Sequence, residues 1–92
     1  MKRLITYSKN GHDFELLKRS GDIALFRGVS RHNGTETFEV IEIQSHDGRE
    51  IAGKHFEPAE FAPSNEQWGS KGWTFQTLED ADNRFREKTA TA

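Results

Sequence analysis

The sequence predicts an α+β fold, in which an antiparallel β-sheet of four to five strands forms a meander and one C-terminal α-helix packs on one face. Three observations support this. Short β-favouring segments alternate with turn signals through residues 1–56, residues 57–76 are rich in proline, glycine and aromatic side chains, and residues 77–88 have helical periodicity. We expect residues 1–92 to form one domain, because a chain of this length builds one small core.

Three dipeptides mark turns of the predicted meander. They are Asn10-Gly11, Asn33-Gly34 and Asp47-Gly48. Asparagine, aspartate and glycine tolerate the positive φ that a tight hairpin turn requires. The segments between them, for example residues 23–31 and 37–44, are rich in β-branched and aromatic residues, which favours strands.

Two features concern the inner strands. Gly28 interrupts a β-favouring segment and predicts a bulge. In the next strand Phe38 and Val40 fall on one face, whereas Ile41 and Ile43 fall on the other. This change of phase predicts either a second bulge or a strand that is covered on both faces.

An aromatic segment precedes the predicted helix. Trp68, Trp73 and Phe75 lie within eight residues and are separated by two glycines, a composition that indicates a tight turn rather than a regular element. We expect this turn, inside a loop of residues 57–76, to anchor the helix. Trp73 and Phe75 would pack beneath the helix, and Trp68 is the better candidate for exposure.

The predicted helix covers residues 77–88 and begins at Thr77, whose side chain can cap the first turn. Leu78, Ala81 and Phe85 form a stripe at helical spacing that would face the sheet. Residues 89–92 are expected to form a frayed tail.

Composition excludes several classes of protein. The chain has no cysteine, so it cannot build a disulfide framework or a thiolate zinc site, and a cytoplasmic location is favoured. No apolar segment approaches the ~20 residues that span a membrane. The four histidines lack the spacing of metal ligands, so we predict no metal site and no cofactor. We predict no catalytic residues either, and we interpret Glu36, Glu39 and Glu42 as solvated surface.

Charge is distributed unevenly along the chain, although the net charge is only −2. Residues 1–34 contain seven Lys and Arg against three Asp and Glu, whereas residues 35–92 contain six against twelve. Such asymmetry favours a partner with a charged surface of its own. The alternative is that strands from the two halves lie side by side and their charges interleave.

The basic half contains a cluster of polar and cationic side chains that could contact phosphates or an acidic protein surface. Arg27 and Arg31 would share one face of a strand, and Asn33 would lie at a hairpin tip. The candidate partner-binding residues are Lys18, Arg19, Arg27, Arg31, His32 and Asn33, together with Trp68, which could stack a base.

The C-terminal third resembles a small protein type found in bacteriophage and prophage genomes. The resemblance covers about residues 58–85, and it rests on the segments Pro63-Ser64-Asn65-Glu66-Gln67-Trp68-Gly69, Gly72-Trp73-Thr74-Phe75 and Leu78-Glu79-Asp80-Ala81. In size and in the lack of catalytic motifs the chain is also similar to anti-CRISPR proteins, in particular type I-F inhibitors. Because these inhibitors share no signature, no binding residue is transferred from them.

The resemblance implies a phage protein that acts in the host bacterial cytoplasm without catalysis. It would bind a type I CRISPR surveillance complex stoichiometrically, through Cas proteins and possibly guide RNA, and block recognition of target DNA. The alternative is a small nucleic-acid-binding regulator of phage genes. The slightly acidic composition is unlike that of most autonomous nucleic-acid binders.

Overall fold

The computed structural model describes residues 3–90, and its main feature is a five-stranded antiparallel sheet on which the α-helix packs. This confirms the predicted fold class. The strands, in chain order, are β1 (Thr6–Lys9), β2 (His12–Ser20), β3 (Ile23–Ser30), β4 (Glu36–Glu42), β5 (Gln44–His46), β6 (Arg49–Ile51), β7 (Lys54–Phe56), β8 (Ala59–Phe61) and β9 (Gly72–Phe75). A 3-10 turn covers Asn65–Gln67, and the helix α1 covers Leu78–Ala90.

The sheet has the strand order β1-β2-β3-β4-β9, so the first four strands form the predicted meander and the fifth arrives from the C-terminal third. Asn10-Gly11 closes the β1–β2 hairpin with positive φ at both residues, as the sequence indicates. The segment between β4 and β9 forms two small antiparallel pairs, β5 with β8 and β6 with β7. Ala52-Gly53, again with positive φ, closes the second of these.

The β-bulge lies in β2, not at Gly28. The register between β2 and β3 shifts between Leu16 and Lys18, whereas Gly28 pairs regularly with Phe14. Glycine is required there for a different reason. A Cβ atom on Gly28 would lie 2.2 Å from a ring carbon of Phe14, so the aromatic ring occupies the space of the missing side chain.

Strand β4 is covered on both faces, which decides between the two alternatives that its sequence left open. Its two sets of apolar side chains belong to two separate cores. The core on the helix side of the sheet contains Leu25, Phe38, Val40, Ala81 and Phe85, and the core on the opposite side contains Phe14, Ala24, Phe26, Ile41 and Ile43.

The prediction of a loop over residues 57–76 is wrong, because this range contains β8, the 3-10 turn and β9. The glycines do not prevent a strand here. Gly72 lies against the Trp68 ring, where a Cβ would approach a ring carbon to 2.5 Å, and it still pairs with Ile41. Trp73 and Phe75 pack against the helix-side core, as predicted.

The helix begins as the sequence indicates, since the Thr77 hydroxyl accepts a hydrogen bond of 3.2 Å from the backbone amide of Asp80. The predicted stripe is only partly correct. Ala81 and Phe85 are buried, whereas Leu78 in the first turn is 49% exposed. Thr89 and Ala90, assigned to the frayed tail, belong to the helix, and residues 91 and 92 lie outside the described part of the chain.

We predict that Gly28→Ala lowers the free energy of unfolding by about 1–3 kcal/mol, because the added methyl overpacks the site against the Phe14 ring. Chemical denaturation measures the change. In a Phe14→Leu background the same substitution should cost clearly less, because the obstructing ring is gone. An equal cost in both backgrounds would show that the contact is not the cause.

Candidate binding surface

The helix leaves part of its side of the sheet exposed, and charged side chains of three strands line that part. Helix α1 packs on β3, β4 and β9, toward one edge of the sheet. Near the strand ends that meet the β3–β4 turn, charged side chains on β2, β3 and β4, together with that of Arg31 just after β3, alternate in sign. We call this set the charged ladder, and its members are Asp13, Glu15, Arg27, Arg31 and Glu36.

The ladder is held together by ion pairs between neighbouring strands. Arg27 bonds Glu36 and reaches Glu15 at 3.4 Å, and Arg31 binds both carboxylate oxygens of Asp13 at 2.7 and 3.1 Å. The hydrogen bonds from Arg31 and Ser8 lower the pKa of Asp13 to about 2. The hydrogen bond to Asp13 raises the pKa of Arg31. The pKa of Arg27 is raised mainly by its hydrogen bond to Glu36.

Lys18 and Arg19 point to opposite faces of the sheet, as neighbours in a strand do. Lys18 lies on the helix side, where its ammonium bonds Asp82. Arg19 lies on the other side and binds both carboxylate oxygens of Glu60 at 2.6 and 2.7 Å. This pair, with a further bond from the backbone amide of Leu4, lowers the pKa of Glu60 to about 2.

His32 and Asn33 lie in the exposed turn between β3 and β4, next to the ladder. The Asn33 side chain accepts a hydrogen bond of 2.9 Å from the amide of Thr35, so it stabilises the turn. The predicted partner-binding residues therefore fall into two groups on opposite sides of the sheet. Arg27, Arg31 and the turn lie together, with Lys18 on the same side, whereas Arg19 and Trp68 lie on the opposite side of the sheet.

Trp68 is partly buried and packs against the core on the side away from the helix. Its indole Nε1 donates to the Thr74 hydroxyl at 3.0 Å, and the Lys9 ammonium lies 3.2 Å from the ring centroid. This contact is a cation–π interaction. A base could stack on that side of the ring only if Lys9 moved away.

Beside Trp68 lies a residue that the sequence prediction assigned wrongly. Glu39 is 2% exposed, whereas the side chains of Glu36 and Glu42 are 44% and 41% exposed. The Glu39 carboxylate accepts hydrogen bonds from Tyr7 at 2.5 Å, from Lys9 at 2.9 Å and from Thr74 at 2.9 Å. The predicted solvated surface is therefore wrong for this residue.

The Glu39 cluster, which consists of Glu39, Tyr7, Lys9, Thr74 and Trp68, connects β1, β4, β9 and the segment before β9. The pKa of Tyr7 is raised mainly because its hydroxyl is buried. The negative charge of Glu39 and the hydrogen bond to it raise this pKa further. Both oxygens of the Glu39 carboxylate accept hydrogen bonds, Oε1 from Tyr7 and Oε2 from Lys9 and Thr74. A cavity of about 390 Å³ adjoins the cluster and has Phe14 and His12 in its wall.

A signal for this burial is present in the sequence. Glu39 lies between Phe38 and Val40 in a strand whose following apolar residues switch face. In such a strand, strict alternation places Glu39 on the same face as Ile41, which belongs to a core. The sequence does not indicate the partners, because Tyr7 and Thr74 lie far from Glu39 along the chain.

Within residues 3–90, no group of three or more histidine and carboxylate side chains is arranged to hold a metal ion. No helix in that range is long and apolar enough to cross a membrane. Comparisons with protein-family models, with curated proteins and with solved structures find no match for this chain.

We predict that Glu39→Ala lowers the free energy of unfolding by about 3–5 kcal/mol, because it leaves the Lys9 ammonium and the Tyr7 hydroxyl without their shared acceptor. The matched control is Glu42→Ala, in the same strand. It removes one partly exposed ion pair with Lys71 and should cost at most about 1 kcal/mol.

Urea denaturation of both variants gives the comparison. If Glu39→Ala and Glu42→Ala cost the same, the Glu39 cluster does not stabilise the fold in the way described.

Proposed function

We propose that this chain is a phage-encoded inhibitor that acts in the host bacterial cytoplasm by binding, without catalysis. Its target would be a type I CRISPR surveillance complex, bound stoichiometrically so that target DNA is no longer recognised. The CRISPR target comes from the resemblance noted in the sequence. The mode of action is supported by the charged ladder and by the turn beside it.

The observation that carries the proposal is the pairing of the candidate cations. Lys18, Arg19, Arg27 and Arg31 each bond a carboxylate of the chain itself. A protein that binds nucleic acid directly usually presents cations without such partners, since neutralised phosphates supply most of its affinity. A surface that alternates in sign instead fits a protein partner, because complementary charges of both signs give specificity and register.

Breaking the ion pairs of the ladder so that they can re-form with a partner costs little free energy. Exposed ion pairs contribute little to stability, so Arg27 and Arg31 can exchange their carboxylates for those of a partner. The released carboxylates of Asp13, Glu15 and Glu36 can then face cations of the target. Complexes of this class hold nucleic acid in positively charged channels, which would attract such carboxylates.

The strands that carry the ladder pack against a core on their opposite face. Arg27 and Glu36 project from β3 and β4, whose opposite faces belong to a packed core. Side chains on inner strands keep their spacing better than side chains on loops, so little ordering is required on binding. The β3–β4 turn extends the same surface with His32 and Asn33.

The experiment is a binding assay with purified type I effector complexes, followed by target-DNA binding with and without this protein. We expect a stable complex and loss of DNA binding at equimolar inhibitor. The double variant Arg27→Glu, Arg31→Glu should weaken inhibition at least about tenfold, because it turns the alternating ladder into a uniformly acidic one.

The matched control is Lys71→Glu, which reverses an ion-paired cation at the other edge of the sheet and should inhibit like the unchanged protein. Failure to bind any effector tested would refute the proposed target. Equal loss with Lys71→Glu would refute the role of the ladder.

The second candidate is a small nucleic-acid-binding regulator, which the exposed Asn33 and His32 at the turn tip favour. It requires direct binding of labelled RNA or DNA, with an affinity that falls steeply as salt rises. A gel-shift series at low and high salt separates the two candidates. Salt-sensitive binding of naked nucleic acid would support the regulator and count against the inhibitor.

A further inference from the structure

A groove with exposed leucines lies between strand β2 and the first turn of the helix. Among the described residues, four large hydrophobic side chains are exposed, and two of them, Leu17 and Leu78, line this groove. They are 45% and 49% exposed, and the fully buried Leu25 also lines the groove. The groove has a volume of about 450 Å³, which exceeds that of one aliphatic side chain.

Both leucines are exposed for reasons that lie in the fold. Leu17 is the residue skipped where the register shifts between Leu16 and Lys18, so it has no partner on β3. Bulges occur often beside functional sites, where they re-aim a side chain. Leu78 is the first residue of α1, and the first buried residue of the helix is Ala81.

The rim of the groove is acidic. Glu79 and Asp82 line it, and Asp80 lies in the same helical turn. Asp82 is bonded by Lys18 and by Arg86 at 2.9 Å, whereas Glu79 and Asp80 form no ion pair within residues 3–90. The helix dipole places about half a positive charge at this end, which offsets only part of the two remaining negative charges.

We propose that this groove is a docking site for a basic segment of a partner protein, which inserts an aliphatic side chain between Leu17 and Leu78. Burial of the exposed leucines supplies the affinity, and the carboxylates of Glu79 and Asp80 select cationic flanking residues. A second copy of this chain is a poorer occupant. A symmetric contact through the groove would bring the two acidic rims against each other.

The groove can bind a basic segment whether or not the chain binds a CRISPR complex. Lys18 is the one candidate partner-binding residue that lines the groove, and the charged ladder is formed by other side chains. The docking site can therefore exist on a protein whose partner is of another kind, and it is tested without any effector complex.

The test uses two synthetic amphipathic peptides of equal length, with leucines on one face and either lysines or glutamates on the other. Each is titrated into the isotope-labelled protein while amide resonances are recorded. We expect the lysine peptide to shift the resonances of Leu17, Lys18, Leu78 and Glu79 in a saturable manner. The glutamate peptide should leave them unchanged.

Two variants and a control distinguish docking in the groove from nonspecific hydrophobic binding. Leu17→Ser and Leu78→Ser should each weaken binding of the lysine peptide about tenfold, because each removes apolar area that the peptide buries. Ile5→Ser is the matched control, since Ile5 is 59% exposed and lies outside the groove. It should leave the affinity unchanged, and circular dichroism verifies that all three variants fold.

Three results would overturn the proposal. The first is equal binding of both peptides. The second is a set of shifts that lies away from the groove or survives both leucine substitutions. The third is sedimentation that shows a dimer of the free protein which Leu78→Ser abolishes, because a second copy would then occupy the groove.

Discussion

The buried Glu39 carboxylate is the constraint on which the arrangement of this protein depends. It is buried on the inner strand β4, next to the edge strand β9, and a buried carboxylate is tolerated only when it is paired and hydrogen-bonded. Tyr7, Lys9 and Thr74 provide those bonds from both edge strands of the sheet. The ends of the sheet order, β1 and β9, are thereby tied to the inner strand β4.

The two faces of the sheet are covered by different parts of the chain. On the Glu39 side, Trp68 and the segment before β9 cover the core, and Lys9 and Thr74 join them to the carboxylate. On the other side, the helix packs on β3, β4 and β9 and leaves the charged ladder exposed. The Glu39 face therefore carries one core with its polar cluster, and the helix face carries the second core and leaves the paired charges and the apolar groove exposed. The proposed binding function depends on this division.

The sequence predicts local structure well where the signal lies within a few residues. Asn10-Gly11 and Thr77 act as expected, since a turn and a helix cap depend on their own neighbours. It predicts less where the cause is distant. The sequence around Gly72 indicates a turn, because the pairing of Gly72 with Ile41, far earlier in the chain, is not visible in its neighbours. The pairing of Arg27 with Glu15 and Glu36 follows from strand register, which charge counts along the chain do not contain.

The most direct test of the central claim uses Tyr7, because it is the only tyrosine in the chain. Alkaline titration of the folded protein, followed by phenolate absorbance, reports on this hydroxyl alone. Burial beside Glu39 raises its pKa, so we predict no phenolate signal in the folded protein until alkali unfolds it. A tyrosine that titrates near its ordinary pKa of about 10 while the fold is intact would contradict the account.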